Sequence, residues 1–201
     1  MTEVAIIDSG GANIASLRYA LERLGVTGRL TTDPDELRTA SRVLLPGVGA
    51  AADAMQRLRR LGLADLIPRL EQPVLGICLG MQLLYESSAE GDTACLGVIP
   101  GRVERFDAGL ELTVPHMGWN QIEPRSPSPL LAGVHAGDYL YFVHSDRAPV
   151  GPQTVASCDY GGEFTAVVQR RNFFGTQFHP ERSAQVGARI LSNFLEQTGC
   201  A

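Results

Sequence analysis

Three short segments carry residue types that could do chemistry together. Gly76-Ile77-Cys78-Leu79-Gly80 sets a cysteine on a glycine-bracketed turn between an apolar run and a helical pattern. This is a nucleophile elbow with sulfur in place of a serine oxygen. Such a turn strains its central residue, and the flanking glycines let neighbouring backbone approach closely. The helix starting after Cys78 aims free N–H groups and its positive end at the sulfur, favouring the thiolate. The N–H of Leu79 is then placed to meet an oxyanion. Taken alone, a cysteine at a strand end is as readily a core residue. A second segment tips the balance. Gln177-Phe178-His179-Pro180-Glu181 follows another apolar run and opens the last helix. A carboxylate two positions from an imidazole can fix its tautomer and stabilise the imidazolium. Helix-dipole preference explains Glu181 by itself, but not why two strand ends both carry catalytic residue types. Open α/β sheets gather their ligands at such ends. The third segment, Pro46-Gly47-Val48-Gly49, could turn a backbone N–H at Val48 or Gly49 toward developing negative charge. In isolation it is only a turn signal. Together the three describe acyl transfer by Cys78, His179 and Glu181, with Leu79, Val48 and Gly49 forming the oxyanion hole.

Other candidates rank lower. His144 ends an apolar segment and reads as a structural histidine. His116 lies in a loop-like aromatic stretch, and His135 reads as surface. The four cysteines, Cys78, Cys95, Cys158 and Cys200, show no CxxC spacing, which argues against a zinc site or a disulfide framework. No metal or organic cofactor is expected. All seventeen basic residues are arginines, so chemistry that needs a lysine, as in a Walker loop or a pyridoxal Schiff base, is excluded. A net charge of -5 argues against a nucleic-acid surface, which needs a clustered positive field. The basic run Arg57-Leu58-Arg59-Arg60 reads as a solvated helix face or a partner contact. The first residues show no basic segment before an apolar stretch, and no run approaches a membrane span. No secretion signal and no membrane association are expected, and a reducing cytoplasm suits a free nucleophilic thiol.

The elements that must position these residues alternate through the first half. Val4 to Asp8 reads as a strand, Ile14 to Leu24 as a helix closed by Gly25, and Arg42 to Leu45 as a second strand. A helix from about Ala51 to Leu61 follows. A third strand, Pro73 to Ile77, breaks into a helix through Met81, Leu84 and Tyr85. Buried strands joined by helices imply a parallel sheet with right-handed crossovers. From about Cys95 to Phe174 the texture becomes short β-rich pieces between Gly and Pro turns. Leu110 to Val114, Tyr139 to Val143, Thr154 to Cys158 and Phe164 to Gln169 suggest an antiparallel section. The chain closes with a strand, Phe173 to Phe178, and a helix from about Ser183 to Glu196. The expected fold is α/β: a central, mainly parallel sheet flanked by helices, with an added antiparallel β section. Residues 1–201 read as one domain.

The elbow, the His-x-Glu pair and the Pro-Gly-Val-Gly loop together resemble class I glutamine amidotransferases over nearly the whole chain. Gly76 to Gln82, Pro115 to Asn120, Tyr141 to Ser145 and Gln177 to Ser183 are more narrowly similar to the glutaminase subunit of imidazole glycerol phosphate synthase. Relatives serving other pathways differ at Met81 and lack a Pro-His-Met-Gly-Trp-Asn segment. The resemblance implies hydrolysis of glutamine to glutamate and ammonia through a cysteinyl thioester. It also implies a heterodimer with a (β/α)8-barrel cyclase in histidine biosynthesis. That partner would use the ammonia to form imidazole glycerol phosphate and AICAR ribonucleotide. By the same resemblance Gly49, Gln82 and the Ser145–Asp146 backbone hold glutamine, while Asn13, Trp119, Tyr141 and Arg182 face the partner. The sequence departs from the family at Ser9 and Asp146, where Tyr is usual, at Ala12, where Gly is usual, and at Arg182, where Lys is usual. Arg keeps the charge at that last position but presents a planar fork. Two other readings use the same scaffold: a stand-alone γ-glutamyl hydrolase and a cysteine redox sensor. The first has no use for the Pro115 to Asn120 segment, and the second none for the His179–Glu181 pair.

Overall fold

A computed structural model describes residues 4–10, 14–107 and 112–196. Strand β1 (Val4–Ile7) turns Val4 and Ile6 to one face and Ala5 and Ile7 to the other, and all four are buried. A strand apolar on both faces belongs inside a sheet covered by helices on each side. Helix α1 (Ile14–Arg23) buries Leu17, Ala20 and Leu21, one face at helical spacing, and stops before Gly25 at φ 74°. Two elements the sequence does not announce come next. Edge strand β2 (Gly28–Thr31) has one large apolar residue, Leu30, and leaves it exposed. Helix α2 (Pro34–Thr39) is short, with Pro34 in its first turn and Asp33 Oδ1 accepting from the N–H of Asp35 at 2.7 Å. Strand β3 (Arg42–Gly47) and helix α3 (Ala51–Arg60) follow as expected. In α3 the buried Ala51, Ala54, Met55 and Leu58 recur at i, i+3, i+4 and i+7. Arg57 on α3 is more than a solvated arginine: its Nη2 pairs with Asp8 Oδ2 at 2.8 Å, and its Nε donates to Asp8 O at 3.0 Å.

The one-turn helix α4 (Leu63–Leu66) leads to strand β4 (Val74–Cys78) and helix α5 (Leu79–Leu83). Here the expected helix is overruled. Apolar Leu84 and Tyr85 fit a helical period, yet the chain leaves α5 after one turn and a half. It then pairs as β5 (Tyr85–Ser88) with β6 (Thr93–Ala94) and β7 (Ile99–Arg105). Burial of Tyr85 against Leu96, Ile99 and Val103 outweighs the local helical preference. The strand expected at Leu110 to Val114 is displaced as well. Its first two residues lie outside the described ones, Leu112 to Val114 are not strand, and β8 (His116–Gln121) occupies the stretch read as a loop.

Strand β9 (Glu123–Pro124) and strand β10 (Tyr139–His144) come next, then β11 (Asp146–Arg147), β12 (Thr154–Asp159), β13 (Glu163–Arg170) and β14 (Phe173–Thr176). Helix α6 (Ala184–Glu196) closes the described chain. The main sheet has the order β2-β1-β3-β4-β14-β13-β12-β9. It is parallel through β14 and antiparallel beyond. Strands β10 and β8 make a two-stranded ladder, and β11-β7-β5-β6 a small sheet. Val4, Ile6, Leu44, Leu75 and Ile77 pack on α1 and α6, while Ala5, Ile7, Val43, Leu45 and Val74 pack on α2 and α3. Full burial of one such side chain contributes roughly 1.5–3 kcal/mol. This double core fixes β3, β4 and β14 side by side, with Gly47 level with Cys78 and Thr176 level with Ile77. No helix among the described residues is long and apolar enough to cross a membrane.

Candidate active site

Cys78 ends β4 and begins α5 with φ 54° and ψ −113°, a left-handed conformation for a residue with a Cβ. Strain of this kind costs about 1–3 kcal/mol and persists only where the surroundings impose it. Here the glycines do so. A Cβ on Gly76 would lie 2.6 Å from Gly80 O, and one on Gly80 would collide with the carbonyl oxygen of Leu45. Helix α5 therefore folds back directly onto β3 and β4. It is only five residues long, so its dipole is weaker than a full helix would supply.

Cys78 lines a cavity of about 440 Å³ together with His179, Leu79, Val48, Gly49, Gln82, Ser145 and Asp146. The cavity thus unites every catalytic, oxyanion and substrate candidate except Glu181, which stands behind His179. Nδ1 of His179 donates to Glu181 Oε1 at 2.8 Å, and both side chains are almost wholly buried. That bond leaves Nε2 to serve the cavity. It is sealed from solvent and makes no hydrogen bond of good geometry among the described residues. Burial works against protonation of His179. The nearby Cys78 sulfur and the Glu181 carboxylate, which accepts from Nδ1, overcome it and push the imidazole up to about 10. The backbone around it is clamped: His179 N donates to Tyr141 O at 2.9 Å, and Ser183 Oγ donates to His179 O at 2.7 Å. A Cβ on Gly187 would strike the Pro180 carbonyl, so glycine lets α6 pack against this turn.

The structure adds residues that the motifs did not assign. Gln177 is fully buried; its Nε2 donates to Cys78 Sγ at 3.8 Å, while its Oε1 accepts from Gln82 Nε2 at 2.9 Å. The period of two along an extended chain puts Gln177 on the same side as His179, a signal available in the sequence. Glu90 and Arg105 also line the cavity, from the small sheet that sequence patterning missed. Ser9, a departure from the family pattern, donates from Oγ to Pro46 O at 2.6 Å and so ties β1 to the Pro46–Gly49 loop.

His144 and His116 are the structural pair that carries the chain beside the cavity. His144 Nδ1 faces Asp146 O at 2.8 Å and must donate, so its Nε2 accepts from His116 Nδ1 at 3.0 Å. Burial holds both neutral, bringing His116 down to about 4 and His144 to about 3. Burial likewise pushes the Cys95 and Cys158 thiols up, to about 11 and about 12, so neither is a nucleophile; Cys200 lies outside the described residues. Of the interface candidates, Asn13 is outside the described residues. Trp119 is 52% exposed with its ring 5.9 Å from that of Tyr141, and the Arg182 guanidinium lies 4.6 Å over the same tyrosine ring.

Comparison with known proteins gives the chain a family. The family described as glutamine amidotransferase class-I matches residues 5–198. The imidazole glycerol phosphate synthase subunit HisH of Xanthomonas axonopodis pv. citri (strain 306) is 58% identical over 198 residues, 98% of this chain and 99% of that protein. The same subunit of Xylella fastidiosa (strain Temecula1 / ATCC 700964) is 58% identical over 196 residues, covering 98% of each chain. Among solved structures, a glutamine amidotransferase superposes with a TM-score of 0.75 at 20% identity, covering 97% of this chain and 98% of that one. Another, from Thermotoga maritima, gives 0.63 at 18% identity over 96% of this chain and 83% of that one. At such identities these two speak to the fold alone. By family match and by near full-length identity to the HisH subunits, the chain belongs to the class-I glutamine amidotransferases and, within them, to the HisH family.

Proposed function

We propose that this chain is the glutaminase subunit of an imidazole glycerol phosphate synthase, acting in histidine biosynthesis. The observation that carries the chemistry is Cys78, held in a strained left-handed turn, sharing one cavity with a His179 whose far nitrogen is bonded to Glu181. The Cys78 thiolate attacks the side-chain carboxamide carbon of glutamine, and the electrons of the C=O bond move onto oxygen. Backbone N–H groups of Leu79 and of the Val48–Gly49 loop hold that oxyanion; one such donor lowers a barrier by roughly 3–4 kcal/mol. The C–N bond then breaks while imidazolium His179 gives its Nε2 proton to the departing ammonia. Neutral His179 next takes a proton from water, whose oxygen attacks the glutamyl thioester. Glutamate leaves and the thiolate returns. Glu181 keeps the Nδ1 proton in place throughout, so Nε2 alone faces the reaction. Gln82 and the Ser145–Asp146 backbone hold the substrate, with Gly49 closing the far side.

Ammonia passes to a (β/α)8-barrel cyclase bound as a heterodimer, which makes imidazole glycerol phosphate and AICAR ribonucleotide. Trp119, Tyr141 and Arg182 form the surface that meets it. The grouping of an exposed indole, a tyrosine ring and a guanidinium supports this, because aromatics and arginine dominate interface energetics. Residues 1–201 act as one amidotransferase domain in the cytoplasm, where a catalytic thiol stays reduced. The stand-alone hydrolase has no use for that exposed cluster, nor the redox sensor for a buried His–Glu pair.

The test is Cys78→Ala assayed with the cyclase. Glutamine-dependent cyclisation should vanish while ammonia-dependent cyclisation continues. Retained glutaminase activity would end the assignment.

A further inference from the structure

Gln177 takes no part in the scheme above, yet it touches the reacting sulfur. It follows β14, two residues before His179, and is fully buried. Its side-chain amide lies between Cys78 Sγ, 3.8 Å from Nε2, and Gln82 Nε2, 2.9 Å from Oε1. An amide can point either way, and here its neighbours decide. The fixed point is the backbone oxygen of Asp146, which can only accept. It accepts from His144 Nδ1 at 2.8 Å and from Gln82 Nε2 at 2.9 Å. Gln82 therefore presents its NH2 group on this side, and the second hydrogen of that nitrogen serves Gln177. The Gln177 atom that receives it must be the carbonyl oxygen, so the Gln177 NH2 group faces the sulfur. Flipping Gln177 would oppose two NH2 groups and set an oxygen against Cys78, in a position closed to solvent.

That orientation bears on the charge of the sulfur. Val143 O lies 3.7 Å from Cys78 Sγ and can only accept, which suits a thiol. Gln177 Nε2 can only donate, which suits a thiolate. The contact is long, but its donor is fully buried, and a dipole acts more strongly where solvent does not screen it. Helix α5 gives the sulfur little help, because five residues make a weak dipole. The same N–H matters at the end of the reaction. When water splits the glutamyl thioester the sulfur departs as a thiolate, and a better stabilised thiolate departs faster.

We propose that Gln177 is a further catalytic residue, whose Nε2 hydrogens hold the Cys78 sulfur as a thiolate in an orientation imposed by Gln82 and the Asp146 carbonyl. This rests on the glutaminase reading above. Gln82 thus has a second task besides lining the cavity: it keeps the Gln177 amide from turning its oxygen to the nucleophile.

The experiment uses the chain in complex with its cyclase. Iodoacetamide labelling of Cys78, followed by the mass of its peptide, reads the thiolate fraction across pH 5 to 10. In Gln177→Met, which nearly conserves volume, the midpoint of the labelling profile should move up by about one pH unit, the effect of one hydrogen bond to a charged group. Glutamine-dependent kcat should fall about tenfold, with KM little changed. The wild-type complex gives a second reading that needs no folded variant: the side-chain amide NMR signals of Gln177 should shift along the same pH profile as the labelling. A labelling profile in Gln177→Met that superimposes on wild type, a loss confined to KM, or Gln177 signals that stay fixed as Cys78 ionises would overturn this role and leave the glutaminase reading intact. A wild-type complex without glutaminase activity would overturn both.

Discussion

Replacing Glu181 by Gln tests the electrostatics of the catalytic pair most directly. The Glu181 Oε1 to His179 Nδ1 bond, 2.8 Å long in a nearly solvent-free setting, holds the imidazole protonated against the cost of burial. A hydrogen bond to a charged partner contributes about 1.5–3 kcal/mol, and about 1.4 kcal/mol corresponds to one pKa unit. Glu181→Gln should therefore bring His179 down from about 10 by roughly one to two units, with the Cys78 contribution remaining. The glutamine amide can also donate to Nδ1 and so favour the tautomer whose proton sits on Nε2's side of the ring. The expected loss in glutamine-dependent turnover is at least about a hundredfold, the usual worth of a general acid–base group. Histidine-selective NMR across pH 5 to 11 reads the titration. Burial keeps His116 and His144 neutral above about 4 and about 3, so neither competes with the His179 signal. Co-purification of the variant with the cyclase and a urea midpoint equal to wild type control for folding. If His179 titrates at the same pH in the variant, or turnover falls less than tenfold, Glu181 does not govern the imidazole and the reasoning fails.

Gly80→Ala should destabilise the fold by about 3 kcal/mol, the upper end of the usual overpacking cost, because the new methyl meets the rigid Leu45 backbone carbonyl; a urea midpoint close to wild type would contradict the elbow geometry. Acid should weaken the protein through the paired histidines. Their folded values, about 4 and about 3, lie below the ordinary histidine value of 6.5, so the stability tied to their neutral forms is fully present above pH 6.5 and is lost progressively as pH falls from there toward the folded values. At pH 5 each accounts for about 2 kcal/mol of loss. Urea titrations from pH 7 to 4 should show this slope, and His144→Phe should flatten it.

Part of the site was legible because it is written in neighbours. Cys78 with its glycines, and His179 with Glu181, are local patterns whose spacing follows from strand and turn geometry alone. The parallel half of the sheet was legible for the same reason: strands buried on both faces are continuous apolar runs. Leu84 and Tyr85 misled because their helical period is real locally and is outbid by burial against Leu96, Ile99 and Val103. Strand β2 stayed hidden because an edge strand need bury little. Strand β8 was read as a loop because Gly118 and the flanking Pro115 are turn-formers, and only pairing with β10 makes them strand.

What the sequence settled by itself is the chemistry: a sulfur on an elbow, an imidazole with its own carboxylate, and no lysine for competing mechanisms. What only the folded chain decided is the company they keep. Gln177 reaches Cys78 from 99 residues away, and Glu90, Arg105 and Asp146 enter one cavity from the small mixed sheet and the loop beside it. Charges that meet from sequence-distant strands and loops leave no periodic trace in the chain, since their proximity is set by long-range pairing and packing.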